Sequence, residues 1–407
     1  MQPFDLDQAI AAVLAGVGPL PAIETPVALA RGGVLAAPLR ARWRLPLGDT
    51  SMMDGWAVRA ADLASGGAVR LARRSESAAG RPSTTPLGPG EAARISTGAL
   101  VPDGADAVVA QEDVDADAAA IVVDCGRAGI VRPGHFIRRA GSEVAADEPL
   151  LAPGVRLGPP ELALLASTGH PTAPVHRRPR VRVICTGDEL VAIGATPAPG
   201  QVISTNGMML VGLVRDLGAD ACELEPLADD RQATVDGLRA ALAEADVLIT
   251  SGGISVGDHD HVGGALRTLG LSPAFTRLNL KPGRPLTYGR LGDAHVFALP
   301  GNPASTYVTF ELIVRPLLCR LLGLPLAWRR PRRRLVLSAP ARGAGRRLHV
   351  VRGIASGEQA TPLQQQVSGS LRSLAGHNAL LLIPPGVAEL PAGAEVTAIL
   401  TDPEAAA

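Results

Sequence analysis

Lysine is nearly missing from this chain: of its 39 lysine and arginine residues only Lys281 is a lysine. That absence removes the P-loop ATPases, whose cradle needs Gly-Lys-Ser/Thr, because Lys281 is followed by Pro282. Aromatic residues are also scarce, at 2%, so nucleic-acid binding by base stacking has little to work with. The four cysteines, Cys125, Cys185, Cys222 and Cys319, lie far apart and form no Cys-x-x-Cys pair. Such spacing argues against a zinc site or a disulfide framework and suits a reducing, cytoplasmic compartment. An excess of charge is missing too: the formal net charge is zero, so an anionic substrate must be drawn by a local cluster rather than by the whole surface. No apolar run approaches a membrane span. The apolar stretch Ala9 to Leu20 follows Asp5 and Asp7 and precedes the first basic residue, Arg31, so it lacks the positive flank of a signal peptide. Neither nucleic acid nor membrane is expected as a partner.

At 407 residues the chain exceeds the size at which one core stops growing, and roughly two to four domains are expected. Asp5-Leu-Asp-Gln-Ala-Ile-Ala-Ala-Val-Leu reads as a capped amphipathic helix. From about Arg42 to Ala140 short alternating runs separated by Gly, Pro and Asp turns indicate a β-rich insert. Pro159 to Gly169 returns to helix, with proline at its start and glycine at its stop. His170 to Arg180, rich in proline and arginine, reads as a linker. Strand and helix then alternate: Val181 to Cys185, a helix from Gly207 to Leu217, a helix from Arg231 to Ala245, Asp246 to Thr250, a helix after Asp258, and Ala294 to Leu299 before a long helix to Leu322. This alternation predicts a doubly wound, largely parallel α/β sheet. Its ligand-facing strand ends are Thr186-Gly-Asp-Glu, Ser251-Gly-Gly and Pro300-Gly-Asn. Leu324 to Arg334 reads as a second linker, with Arg329-Arg-Pro-Arg-Arg-Arg334 solvated, and the remainder as a small β module.

Ser251-Gly-Gly-Ile-Ser-Val-Gly-Asp258 has the composition of an anion cradle, where Gly252, Gly253, Ser255 and Gly257 would let backbone N–H groups converge ahead of a helix. It is also compatible with a plain glycine-rich turn, and Gly253-Ile-Ser-Val-Gly257 matches the nucleophile elbow, although Ser255 stands too far beyond its strand. Asp188 and Glu189 end one strand, while Asp258 and Asp260 follow the cradle. Carboxylates beside an anion site repel the ligand unless a cation intervenes, which points to Mg²⁺ rather than to zinc at His259 and His261. A helix cap or solvated turn is the alternative for each carboxylate. Pro300-Gly-Asn-Pro303 offers Asn302 as a cap and Pro303 as the first helical residue, with free N–H groups outward. Lys281, in Lys281-Pro-Gly-Arg-Pro285, reads as an anion ligand because of the Gly/Pro turns on either side of it, with a stray surface lysine as the alternative. Gly88-Pro-Gly-Glu-Ala-Ala93 is a weak dinucleotide fingerprint, since no buried strand precedes it.

The ordered set Ser51-Met-Met-Asp-Gly-Trp-Ala57, Ile95-Ser-Thr-Gly-Ala99, Thr186-Gly-Asp-Glu-Leu190, Ser251 to Asp258, Lys281 to Pro285, Leu299 to Ser305 and Ser368-Gly-Ser-Leu-Arg-Ser373 closely resembles the molybdopterin molybdenumtransferase family, whose animal relative is the E domain of gephyrin. The resemblance covers nearly the whole chain. It implies a multidomain α/β protein: a mixed α+β N-terminal dimerisation domain (residues 1–41 and 141–172), a β-rich insert (42–140), an α/β molybdopterin-binding domain (173–326) and a small β-barrel-like C-terminal domain (327–407). It implies an elongated homodimer with its active site between the α/β domain of one subunit and the insert of the other. The reaction implied is Mg²⁺-dependent cleavage of adenylylated molybdopterin with insertion of molybdate into the dithiolene and release of AMP. Transient contact with the adenylyltransferase and with acceptor molybdoenzymes is implied as well. By motif position, Asp54, Thr97, Asp188, Glu189 and Asp258 would act catalytically. Gly252, Gly253, Ser255, Gly257, Lys281, Arg284, Pro300, Asn302, Pro303 and Ser368 would hold substrate. Asp188, Glu189, Asp258 and Glu143 would hold the metal.

The chain departs from the family pattern in places. Gly141-Ser-Glu143 stands where Gly-Glu-Asp is usual, Arg284 replaces a second lysine, Trp56 replaces the tyrosine after Asp-Gly, and His261 replaces another tyrosine. A guanidinium keeps the charge of lysine but presents a planar fork. The Ser142 and Arg284 departures leave open a carrier that binds molybdopterin or molybdate without cleavage; an adenylyltransferase, which uses a similar α/β domain, is a third class, against which the extra β-rich and C-terminal domains argue.

Overall fold

The computed structural model describes residues 2–224, 231–253, 261–325 and 330–402. At its centre is a six-stranded sheet built from β1 (Arg180–Cys185), β2 (Asp220–Glu223), β3 (Val247–Ser251), β4 (Ser272–Arg277), β5 (Pro285–Leu291) and β6 (Ala294–Leu299), in the order β2-β1-β3-β6-β5-β4. The first four strands of that order are parallel, whereas β5 runs antiparallel to both β6 and β4. Every residue of β3 and β6 is buried, as expected for central strands covered on both faces. Alternate residues sort into two cores. Val181, Val183, Ile249 and Phe297 pack with Leu210 and Val214 of helix α1 (Asn206–Asp216) on one side. Ile184, Leu248 and Val296 pack with Leu238 of α2 (Arg231–Ala243) and Leu266 of α3 (His261–Thr268) on the other. The sheet is thus doubly wound, as its period-two sequence requires.

Helix α4 (Pro303–Thr309) starts beyond β6 and continues through a π-helical turn, Phe310–Val314, into a further helix, Arg315–Leu321. The insert carries its own six-stranded sheet, in which Gly55–Val58 lies between Ala107–Ala110 and Glu91–Ile95. In the C-terminal region the strands Leu348–Ser356, Gln359–Pro362, Arg332–Leu337, Glu395–Leu400 and Ala379–Ile383 follow one another, and pairing of the last with the first closes a five-stranded barrel. Leu280–Lys281 joins that barrel from the central unit by parallel pairing with Leu348–His349.

Three expectations are corrected. His170 to Arg180 is not a linker: Thr172–His176 pairs with Ala22–Pro26, joining the segments that flank the insert. The other edge of Thr172–His176 is bridged as well, the His176 N–H donating to the Val34 carbonyl and the Ala36 N–H to the Pro174 carbonyl, each at 2.9 Å, so Pro174 costs the segment one donor but keeps its acceptor. The arginine run is not simply solvated. Arg332 to Arg334 belong to a barrel strand, and Arg330 forms a two-pronged ion pair, at 2.9 and 3.0 Å, with the fully buried carboxylate of Glu311. The long helix after Pro303 is continuous in direction but includes the π-helical turn.

Candidate active site

A cleft of about 900 Å³ opens at the carboxyl ends of β1, β3 and β6. The three strand-end turns converge there: Thr186 to Glu189, Ser251 to Gly253, and Pro300 to Pro303 all line it. Gly252 and Gly253 adopt φ +95° and +66°, the left-handed region that glycine enters without strain. A Cβ on Gly252 would strike the Thr186 carbonyl, and one on Gly253 would strike the Thr186 hydroxyl and Val262. The two glycines thus let the Ser251 turn pack directly on the Thr186 turn, and the Gly252 N–H donates to the Leu299 carbonyl at 3.3 Å.

Asn206, at the start of α1, ties the turns together. Its Nδ2 donates to Ser251 Oγ at 2.9 Å and to the Gly301 carbonyl at 2.7 Å, and Ser251 Oγ donates to the Pro300 carbonyl at 3.3 Å. Asn206 Oδ1 and Thr186 Oγ1 are buried and find no partner among the described residues. Unpaired polar atoms of this kind are costly, and both belong to residues that line the cleft, so a polar ligand would satisfy them. Nothing in a local sequence pattern marks Asn206 except its place at a helix start after Val202–Ile203.

Asp188 and Glu189 border the cleft together. Glu189 folds its carboxylate back over Gly187, leaving no room there for a side chain. The adjacent Cys185 thiol is pushed up to about 11 by burial and by the charge of Glu223, so it remains protonated and is no nucleophile at neutral pH. Among the described residues no three His, Cys, Asp or Glu side chains converge as a metal site. Ser255, Gly257, Asp258, His259 and Asp260 lie outside the described residues.

The barrel supplies one wall through Gly369 and Leu371. Ser368 docks on the Pro300 turn: Asn302 Nδ2 donates to its Oγ at 3.2 Å, and the Ala304 N–H donates to its carbonyl at 3.0 Å. This corrects the reading of the turn as a capped, open helix start. Asn302 makes no side-chain cap bond, and the Ala304 N–H is already taken. Behind Ser368, the fully buried Arg352 donates to the Val367 carbonyl and to Ser373 Oγ at 3.3 and 3.1 Å. Burial without an acidic partner pulls its guanidinium down to about 10. The sequence reading missed Arg352, because an arginine inside a β pattern gives no sign of its burial.

Lys281 and Arg284 are exposed and neither borders the cleft, although Pro285 does. Their hairpin is closed by the Leu278 N–H donating to the Arg284 carbonyl at 2.8 Å. Burial, then nearby positive charge including Lys281, holds the His349 imidazole below its ordinary value against an opposing hydrogen bond to the Arg342 carbonyl. Asp54 and Thr97 meet in the insert, where the Thr97 N–H donates to Asp54 Oδ1 at 2.8 Å. Glu143 faces Arg138 at 3.9 Å. None of these three lines the cleft of its own chain.

Comparison with known proteins agrees with this architecture. The MoeA N-terminal region (domain I and II) matches residues 4–169, the probable molybdopterin binding domain 182–320, and the MoeA C-terminal region (domain IV) 334–401. A molybdopterin molybdenumtransferase of Nostoc is 34% identical over 380 residues, covering 90% of this chain and 86% of that one. Molybdopterin molybdenumtransferase 2 of Mycobacterium tuberculosis is 36% identical over 384 residues, covering 92% and 94%. The crystal structure of the molybdopterin biosynthesis MoeA protein from Pyrococcus horikosii superimposes with a TM-score of 0.84 at 29% identity, over 98% of this chain and 100% of that one. The chain belongs to the molybdopterin molybdenumtransferase family.

Proposed function

We propose that this protein is an enzyme of molybdenum cofactor biosynthesis that inserts molybdate into the dithiolene of adenylylated molybdopterin and releases AMP. The observation that carries this reading is the cleft itself. The glycine turn at Gly252 and Gly253, Thr186 and Asn206 with buried oxygens that have no partner among the described residues, and the Asp188–Glu189 pair line one space. The glycines favour a phosphate or oxyanion. The carboxylates disfavour it unless a hard cation intervenes, and an all-oxygen donor set fits Mg²⁺. Bound there, Mg²⁺ would neutralise phosphoryl charge. The chain's own residues do the rest: Asn206 fixes the three turns, Ser368 and Leu371 shape the barrel side, and Lys281 and Arg284 place an anionic group.

Asp54, Thr97 and Glu143 lie outside the cleft of their own chain, and exposed apolar side chains, Leu47, Met52 and Leu100, surround the Asp54 turn. We take the functional unit to be a homodimer in which the insert of one subunit completes the cleft of the other. The four-unit division into 1–41 with 141–172, 42–140, 173–326 and 327–407 belongs to this reading, as does a cytoplasmic location. Among the described residues no helix is long and apolar enough to cross a membrane. Purified protein with adenylylated molybdopterin, Mg²⁺ and molybdate should release AMP and form molybdenum cofactor. Binding without AMP release would make the protein a carrier and overturn the assignment.

A further inference from the structure

Lys281 combines an exposed side chain with a heavily tethered backbone. It pairs with no carboxylate among the described residues, yet the main chain around it is held on several sides. The Phe4 N–H donates to the Arg277 carbonyl at 3.0 Å, the Asn279 N–H donates to the Phe4 carbonyl at 2.8 Å, and the Leu348 N–H donates to the Asn279 carbonyl at 3.1 Å. Lys281 itself is in register with His349 of the barrel. Beyond it, Gly283, at φ +101°, lies against Thr309 of α4 with no room for a side chain. One side-chain bond joins this set: Asn279 Nδ2 donates to Asp5 Oδ1 at 3.0 Å. Asp5 opens the helix Leu6–Leu14, whose Ala9 and Val13 are fully buried in the same core as Phe275, Leu278 and Leu280. The Phe4 ring stacks on Phe275 at 5.2 Å.

We propose that Asn279, through Asp5, is a positioning residue for Lys281, so that the N-terminal segment fixes the stem from which the sole lysine reaches the substrate's anionic group. This rests on reading Lys281 as an anion ligand. A long flexible side chain places charge well only if its root is fixed, because mobility at the root adds to the ordering cost of binding. A lysine with no such task has no use for a root hydrogen-bonded to both the N-terminal segment and a barrel strand and packed against α4.

The test uses the full chain, with calorimetric titration of inorganic molybdate and of AMP as probes and steady-state kinetics alongside. Asn279→Asp sets a second carboxylate against Asp5. It should weaken probe binding and raise KM by roughly three- to tenfold while kcat stays within about twofold, the scale of one hydrogen bond acting on binding. Adding Asp5→Asn restores a donor and acceptor in reversed order and keeps a competent helix cap, so it should recover affinity. In a Lys281→Ala background Asn279→Asp should cause no further loss. Normal binding by Asn279→Asp beside impaired binding by Lys281→Ala would overturn the positioning role and leave the lysine's role standing. Loss that persists in the Lys281→Ala background, or that the reversed pair fails to recover, would assign Asn279 to general stability. Unchanged binding by Lys281→Ala would remove the anion-ligand reading and this inference with it.

Discussion

Asp54→Asn separates structure from chemistry at the insert. Asp54 is exposed, and its surroundings do not depend on its charge. Its main-chain carbonyl accepts the Gln111 N–H at 3.0 Å, Gly55 is pressed against the Val109 carbonyl, and the buried Trp56 ring carries the guanidinium groups of Arg73 and Arg94, each 5.6 Å from its centroid. The amide oxygen of asparagine can go on accepting the Thr97 N–H. What is lost is the difference between a charge-assisted and a neutral hydrogen bond, about 1 kcal/mol, and less at an exposed site. If Asp54 orients the nucleophile or the incoming oxyanion, the same change should lower nucleotide cleavage or metal insertion by at least ~10²-fold, about 2.7 kcal/mol in the barrier. Asp54→Ala should match that loss of turnover with little added stability cost, because the Thr97 N–H is exposed and water can accept from it. AMP release is the assay, with circular dichroism, denaturant unfolding and substrate titration as controls. Near-normal turnover in a folded, substrate-binding Asp54→Asn protein would refute the reasoning and leave catalysis to Asp188, Glu189 and Asp258.

Mixed dimers of Asp54→Ala and Lys281→Ala subunits should regain activity that neither homodimer has, since one cleft of the pair would be intact; no regain would place each site within a single chain. Alkylation at pH 8 should label the exposed Cys222 and spare the buried Cys185, whose thiol sits at about 11, as mass spectrometry of the labelled peptides would show. His295 is pulled down to about 4, chiefly by burial and next by Arg290, while Asp246 opposes. A folded-state value below the unfolded one means that its stability contribution is full above the ordinary imidazole value of 6.5 and is lost as pH falls toward 4. His295→Gln, which keeps an acceptor for Tyr288, should flatten the acid unfolding profile in that window by an amount on the order of 3 kcal/mol, and an unchanged profile would assign the acid sensitivity elsewhere.

The strand-end turns were legible because a glycine after a buried β run is a local signal, and three such turns at one edge of a wound sheet follow from the alternation of strand and helix. The partners of those turns were not legible. Asn302 reads as a cap from its neighbours, yet its side chain is taken by Ser368, which comes from the barrel. Glu311 and Arg330 look like surface charges until the fold places both inside. The antiparallel edge, β4 and β5, escaped notice because Pro273, Pro285 and Gly289 interrupt the alternation that announces a strand. Thr172–His176 was hidden by Pro174 in the same way. Local pattern records propensity and burial period; it does not record a hydrogen bond between residues far apart in sequence.

Those long-range bonds make the barrel part of the active site rather than an appendage. Three independent ties join it to the elements of the cleft: the Ser368 contacts at the head of α4, the pairing of Lys281 with His349, and the Arg330–Glu311 ion pair on the helical continuation of α4. The last is the most demanding. The Glu311 side chain is wholly buried, so removal of Arg330 would leave its charge with Arg315, at 3.9 Å, as the remaining partner, at a cost below the roughly 3–5 kcal/mol of a fully orphaned buried charge. A protein that merely needed two stable domains would do as well with apolar contact at that junction, which is often no less stabilising. An ion pair with fixed geometry instead specifies one angle between the barrel and α4, and that angle decides whether Ser368 reaches Asn302 and whether Lys281 can pair with His349 while Gly283 packs on Thr309. The cleft therefore owes its shape as much to the junction between the sheet and the barrel as to the strand ends that first disclose it.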